Sequence, residues 1–193
     1  MVDAAQRPAT YADLEAVPLD QVAEILFGAL VTHPRPAPSH GSAAGALTME
    51  IGPPFQKGRG GPGGWVFIPE QELHLGPHVV VPDISGWRVE RLPHMPDTAF
   101  IETPPDWICE LLSPSTENSD RGPKRRIYAT YKVAHMWLID PVARRLEAYE
   151  LRDANWLLVE TFDGEDSVAA PPFASVPFPL AALWPLAPAP QQY

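Results

Sequence analysis

A single cysteine, Cys109, is all the chain carries, which excludes an intramolecular disulfide and a cysteine zinc cluster. It lies in an apolar run and reads as a small buried hydrophobe rather than a nucleophile. Nowhere does the chain run apolar for the roughly 18 residues that a transmembrane helix needs. The opening MVDAAQRPATYADLE lacks a basic stretch followed by an apolar one, so no signal peptide is expected. A soluble, cytoplasmic protein without a membrane partner follows as the expectation. Positive charge is scarce as well: 14 lysines and arginines stand against 24 acids, a formal net charge of −10. Phosphate contacts dominate nucleic-acid affinity, so this balance excludes a broad nucleic-acid cradle. It leaves room for a local patch, because residues 121–132 hold Arg121, Lys124, Arg125, Arg126 and Lys132 and no acid.

A phosphate-cradling loop is missing too. Residues 52–64 hold six glycines and three prolines, yet no Gly-Lys-Ser/Thr ending and no helix signal follow. The stretch reads as a flexible loop or hairpin insert, from which Lys57 and Arg59 could brush a phosphate backbone. Proline, by contrast, is abundant: 25 residues, roughly 13% against an average near 5%, which predicts long, stiff connections. The length of 193 residues fits one domain, predicted over 1–185 with a disordered tail at 186–193.

Thr10 can cap a short helix over 11–16, ended by Pro18. Residues 22–33, around Gly28, read as a strand or bent hairpin, with helix as the alternative over 21–26. Pro34, Pro36 and Pro38 then force a break. Residues 39–49 suggest a small-residue helix in which Gly41 and Gly45 allow close packing. WVFIP (65–69), QELHL (71–75) and HVVVPDISGW (78–87) read as an antiparallel meander, and 88–105 as a loop. HMWLIDP (135–141) is a buried type of strand whose Asp140 caps a turn. Residues 144–151 and 155–162 form a hairpin turning at Asp153-Ala154, and 178–184 a short helix. The fold expected is a single α/β domain, with a mixed central sheet flanked by an N-terminal helix and a helix over 120–133.

Two acids stand out against this frame. In VVVPDIS the proline removes a ladder donor, so Asp83 belongs where a strand bends or ends. In DWICELLS alternate residues share a face: Ile108, Glu110 and Leu112 point one way, Trp107, Cys109 and Leu111 the other. An acid inside such a run is costly unless it is paired or metal-bound. Its structural alternative is a salt bridge to Arg125 or Arg126. Carboxylates on neighbouring strands can hold Mg²⁺ or Mn²⁺, completed by water and a substrate phosphate, and a nearby lysine can stabilise developing charge. A metal-dependent phosphodiester hydrolase is the leading reading.

The same residues carry a family resemblance. Pro82-Asp83, ELLSPST, the spacing Asp-x3-Lys-x3-Tyr over Asp120, Lys124 and Tyr128, and WLIDP resemble the Uma-two family of restriction-endonuclease-like proteins. That family is a branch of the PD-(D/E)XK nucleases. AEILFGALV and PSHG are similar to its opening strand and following helix. The resemblance implies a bacterial protein with a restriction-endonuclease-like core and a Mg²⁺-type site. It would be an endonuclease hydrolysing DNA phosphodiester bonds, with DNA bound weakly and a homodimer compatible with the fold. It implies catalytic roles for Asp83, Glu110 and Lys124, and metal ligation by Asp83, Glu110 and the carbonyl of Leu111. The superfamily expects a lysine two residues after the glutamate, where Leu112 stands. Lys124, on the following helix, takes the matching place in this branch. The glutamate of the family's opening strand is replaced by Ala29, leaving Glu24, Glu70 or Glu72 as candidate accessory acids. These departures, with the charge of −10, favour an alternative in which a degenerate nuclease fold acts as a binding or scaffolding module. His40 reads as structural, and a hydrolase built on His40 or His135 lacks a serine or cysteine motif.

Overall fold

The computed structural model describes residues 7–184. The expected tail at 186–193 lies outside the described residues. The chain opens with α1 (Tyr11–Glu15), capped by Thr10, whose hydroxyl accepts from Asp13 N–H while Asp13 accepts from Thr10 N–H. A hairpin of β1 (Gln21–Leu26) and β2 (Ala29–Pro34) follows. Its two-residue turn, Phe27-Gly28, has positive φ at both positions, the twist that matches the strands. Next come α2 (Pro38–Ile51), β3 (Trp65–Pro69), β4 (Leu73–Leu75), β5 (His78–Val80), β6 (Ile84–Arg88) and β7 (Trp107–Leu111). A helical crossover of α3 (Glu117–Ser119) and α4 (Arg125–Thr130) leads to β8 (His135–Asp140). The chain then runs through β9 (Arg145–Arg152), β10 (Asn155–Asp163), β11 (Ser167–Val168) and β12 (Phe178–Pro179) to a 3₁₀ turn, Leu180–Leu183.

The central sheet has the order β10-β9-β8-β7-β6-β3. It is mixed, because β7 and β8 run parallel across the helical crossover while the other neighbours are antiparallel. Strand alternation divides β7 as the sequence predicts. Trp107, Cys109 and Leu111 join Trp137 and Ile139 against Ala43, Ala46, Leu47 and Ile51 of α2. Ile108 and Leu112 join Met136 and Leu138 against Ile127 and Tyr128 of α4. Each fully buried Leu or Ile contributes about 1.5–3 kcal/mol, so the two layers clamp β7 from both sides.

Several expectations are corrected. The strands over 65–87 are not one meander. β4 and β5 form a hairpin in a separate four-stranded sheet, β2-β1-β5-β4, while β3 pairs with β6 in the central sheet. HVVVPDISGW therefore splits at Val81-Pro82-Asp83, where proline cannot donate to a ladder. Residues Gly52–Gln56 are helical rather than a loop, extending α2 by a π turn that buries Pro54 and Phe55. Gly61 meets that turn so closely that a Cβ there would lie 2.5 Å from Pro54 Cβ. Gly41 and Gly45 give no close packing, since a Cβ on either would meet nothing within 4 Å; the alanines of α2 form its contact face. The N-terminal helix on the sheet is α2, because α1 buries no residue.

Candidate active site

The β6–β7 register determines where the two acids meet. Ile84 opposes Cys109, Ser85 opposes Ile108 and Gly86 opposes Trp107, so one step further Asp83 stands opposite Glu110. Opposed residues on antiparallel strands share a face, with Cβ atoms about 4.5–5.5 Å apart. Beyond that point Pro82 offers no N–H, and the chain leaves for the other sheet. The Asp83 side chain takes over what the ladder lacks: Oδ2 accepts from Leu111 N–H at 2.7 Å. Oδ1 lies 2.7 Å from His40 Nε2, in the first turn of α2, and the Asp83 carbonyl accepts from Glu70 N–H. The Asp83 N–H is directed at Glu110 Oε2, at 3.4 Å.

Glu110 is 1% exposed. Its Oε1 accepts from Tyr128 Oη at 2.5 Å and lies 2.9 Å from Lys124 Nζ. Lys124 comes from a π turn, Asp120–Lys124, between α3 and α4. Pro123 within it has no N–H and crowds the preceding turn, which the wider register accommodates. The helix therefore starts earlier than the expected 120, at Glu117, with Asp120 inside the helical run. Asp120 is buried four residues before Lys124, with Oδ1 3.1 Å from Nζ. Glu24, on β1, completes the ring: its Oε1 is 3.3 Å from Nζ and accepts from Val81 N–H at 2.8 Å.

One ammonium thus sits among three carboxylates, with a fourth, Asp83, beside them. Burial alone would push the Lys124 ammonium down, but Glu110, Glu24 and Asp120 hold it well above the ordinary lysine value. Burial pushes Glu110 well above the ordinary glutamate value; Lys124 opposes this while Asp120, Asp83 and Glu24 add to it. Burial and Glu110 likewise keep the Tyr128 phenol protonated. His40 is lowered by burial, yet its bond to Asp83 leaves it raised overall. The surplus is negative, and Glu110 Oε2 has capacity to spare, its single hydrogen-bond partner being the 3.4 Å contact from Asp83 N–H. Among the described residues no three His, Cys, Asp or Glu side chains form a metal-type cluster.

Asp83, Glu110 and Lys124 open on one cavity of about 290 Å³, walled by His33, Arg35 and His40 on one side and residues 113–116 on the other. The structure therefore brings together the three residues singled out in the sequence. It does not bring the basic patch with them. Arg121 pairs with Glu147, Arg125 lies over the Tyr149 ring and Arg126 over the Phe27 ring. The alternative pairing of Glu110 with Arg125 or Arg126 is thus replaced by Lys124. Of the candidate accessory acids, Glu24 faces Lys124. Glu70 and Glu72 line a neighbouring cavity of about 330 Å³, where Glu72 accepts from Tyr11 Oη and meets His74. Cys109 is fully buried, which pushes its thiol up, as expected of an inert side chain. Asp140 caps its turn, accepting from Val142 and Ala143 N–H. Sequence reasoning undervalued His40, Asp120 and Tyr128. The i−4 and i+4 spacing of the last two from Lys124 was the available signal.

A family model named Uma2, "Putative restriction endonuclease", matches residues 8–181. A crystal structure described as that of a putative nuclease belonging to DUF820, from Anabaena variabilis, superposes with a TM-score of 0.70. It shares 22% identity over 92% of this chain and 98% of its own, a likeness of fold. No curated protein matches the chain.

Proposed function

The chain belongs to the Uma2 family of restriction-endonuclease-like proteins, and from that premise we propose that it is a Mg²⁺- or Mn²⁺-dependent endonuclease hydrolysing DNA phosphodiester bonds. The observation that carries the reading is the convergence of Asp83, Glu110 and Lys124 on one cavity whose buried charge is in negative surplus. A divalent cation suits this surplus, since Mg²⁺ needs only one or two carboxylates, with water and phosphate completing its shell. Asp83 and Glu110 Oε2 would hold it. The Leu111 carbonyl, on the same strand edge as the N–H turned to Asp83, would be the third ligand. When bound, the cation lowers the pKa of water and polarises the phosphoryl oxygen.

The protein's own groups do the positioning. His40 and Leu111 N–H orient the Asp83 carboxylate. Tyr128 and Lys124 hold Glu110 by one oxygen and leave the other towards Asp83. Lys124 offsets charge developing on the phosphoryl group, with Glu24 and Asp120 fixing its stem. With few cations at the cavity, DNA binding should be weak and salt-sensitive. The alternative, a nuclease fold kept as a binding module, draws support from the three carboxylates that enclose Lys124.

The test is cleavage of plasmid DNA with Mg²⁺, Mn²⁺ or chelator, beside calorimetric titration of Mn²⁺, for the wild type and Glu110→Gln. Metal-dependent cleavage and Mn²⁺ binding, both lost in the variant, are expected. Mn²⁺ binding without cleavage favours the binding module. Equal Mn²⁺ affinity in both proteins would refute the site.

A further inference from the structure

We infer that Arg35 is the residue that grips a backbone phosphate of the DNA strand beside the reacting one; this rests on the nuclease reading above. Hydrolysis in this cavity requires a polyanion to approach four carboxylates, so some cation must meet it. Lys124 has no reach beyond the reacting phosphoryl group, because its ammonium is held by Glu24, Glu110 and Asp120 and only 3% of the residue is exposed. The expected basic patch does not meet it either, because Arg125 and Arg126 lie on aromatic rings outside the cavity. Lys57, Arg59, Lys132 and Arg144 also lie outside it. Arg35 alone is an exposed cation on the cavity wall, and among the described residues it forms no ion pair.

Its mounting is stiff. It follows the end of β2 between Pro34 and Pro36, whose rings fix φ on both sides. Nε and Nη2 donate to the Leu19 carbonyl at 3.2 and 3.1 Å. A guanidinium carries five N–H donors in a planar fork, so one edge is anchored and the Nη1 end remains for a phosphate. Arg35 stands between the two cavities. The near one, on which Asp83 and Glu110 converge, also carries the hydroxyls of Ser113, Ser115 and Thr116 on its wall, further donors for a strand that Arg35 holds.

The experiment is fluorescence anisotropy of a labelled DNA oligonucleotide over a series of salt concentrations, with Ca²⁺ in place of Mg²⁺, for the wild type, Arg35→Gln and Arg35→Lys. Calorimetric Mn²⁺ titration and thermal melting accompany it. Arg35→Gln should lose about tenfold in affinity at low salt, and its slope of log K against log salt should flatten by about one phosphate contact. Arg35→Lys should keep the slope with weaker binding, and Mn²⁺ affinity should not move in either. A merely structural role would lower the melting temperature and leave the salt slope as it was. DNA binding by the wild type with an unchanged slope in Arg35→Gln would overturn this inference alone. A wild type that binds Mn²⁺ but no DNA would overturn the nuclease reading and the grip with it.

Discussion

Replacing Lys124 by methionine isolates the charge at the centre of the site. Methionine keeps an unbranched stem of similar volume, so the packing loss is small and the missing ammonium is what is read. Glu24, Glu110, Asp120 and Lys124 are all at most 3% exposed, so the three carboxylates would face one another without a counter-ion. Breaking a buried ion pair by removing one partner costs about 3–5 kcal/mol. For a chain of this size each kcal/mol is worth about 2–4 °C, so melting near pH 8 should fall by about 6–20 °C. The loss must depend on pH. Glu110 already titrates above the ordinary value in the folded protein, so the fold binds protons that the unfolded chain has released, and stability falls as pH rises through that window. Without Lys124 the upward shift grows and the fall steepens. Towards acid Glu110, whose value burial raises, takes up its proton, and the penalty should shrink. Mn²⁺ at about 100 times its Kd stabilises the wild type by about 2.7 kcal/mol, and the variant should gain more, since the cation meets charge that the ammonium no longer does. Thermal melting over this pH range, with and without Mn²⁺, is the assay. An equal loss at both ends of the range would refute the charge argument and assign Lys124 to packing.

His40→Ala should lower Mn²⁺ affinity about tenfold by freeing Asp83, while His40→Gln, which keeps a donor, should recover part of it; calorimetric titration measures both. Gly86→Ala should destabilise the fold by about 1–3 kcal/mol, because a Cβ there would lie 3.0 Å from the Trp107 ring and 3.1 Å from the Phe67 ring; urea unfolding reads it. Arg121→Ala should cost about 1 kcal/mol at neutral pH. Although burial pushes Glu147 up, its bonds from Arg121 and Tyr149 hold it below the ordinary 4.5. That contribution is present above 4.5 and lost as pH falls through the lowered value, so the wild-type and variant melting curves should merge in acid.

Local chemistry alone determined much of this protein. The alternation in DWICELLS put Glu110 and Cys109 on opposite faces: Cys109 lies in the layer under α2, while Ile108 and Leu112 lie in the other, where Glu110 meets Tyr128. Pro82 broke a strand and left Asp83 at its end. Thr10 capped a helix, and the hairpins over 22–33 and 144–162 formed as expected. These follow from periods of 2 and 3.6 residues and from turn and cap chemistry, which act over a few positions. The tertiary structure alone decided which sheet each half of HVVVPDISGW joins, that Glu24 from one sheet and Asp120 from the crossover meet at Lys124, and that His40 reaches Asp83. It also turned Arg125 and Arg126 onto aromatic rings and left Arg35 on the cavity wall. A sequence pattern states which face a side chain takes on its own element. Which elements face each other depends on strand pairings between residues far apart in the chain, whose stability comes from packing that exists only once both partners are in place.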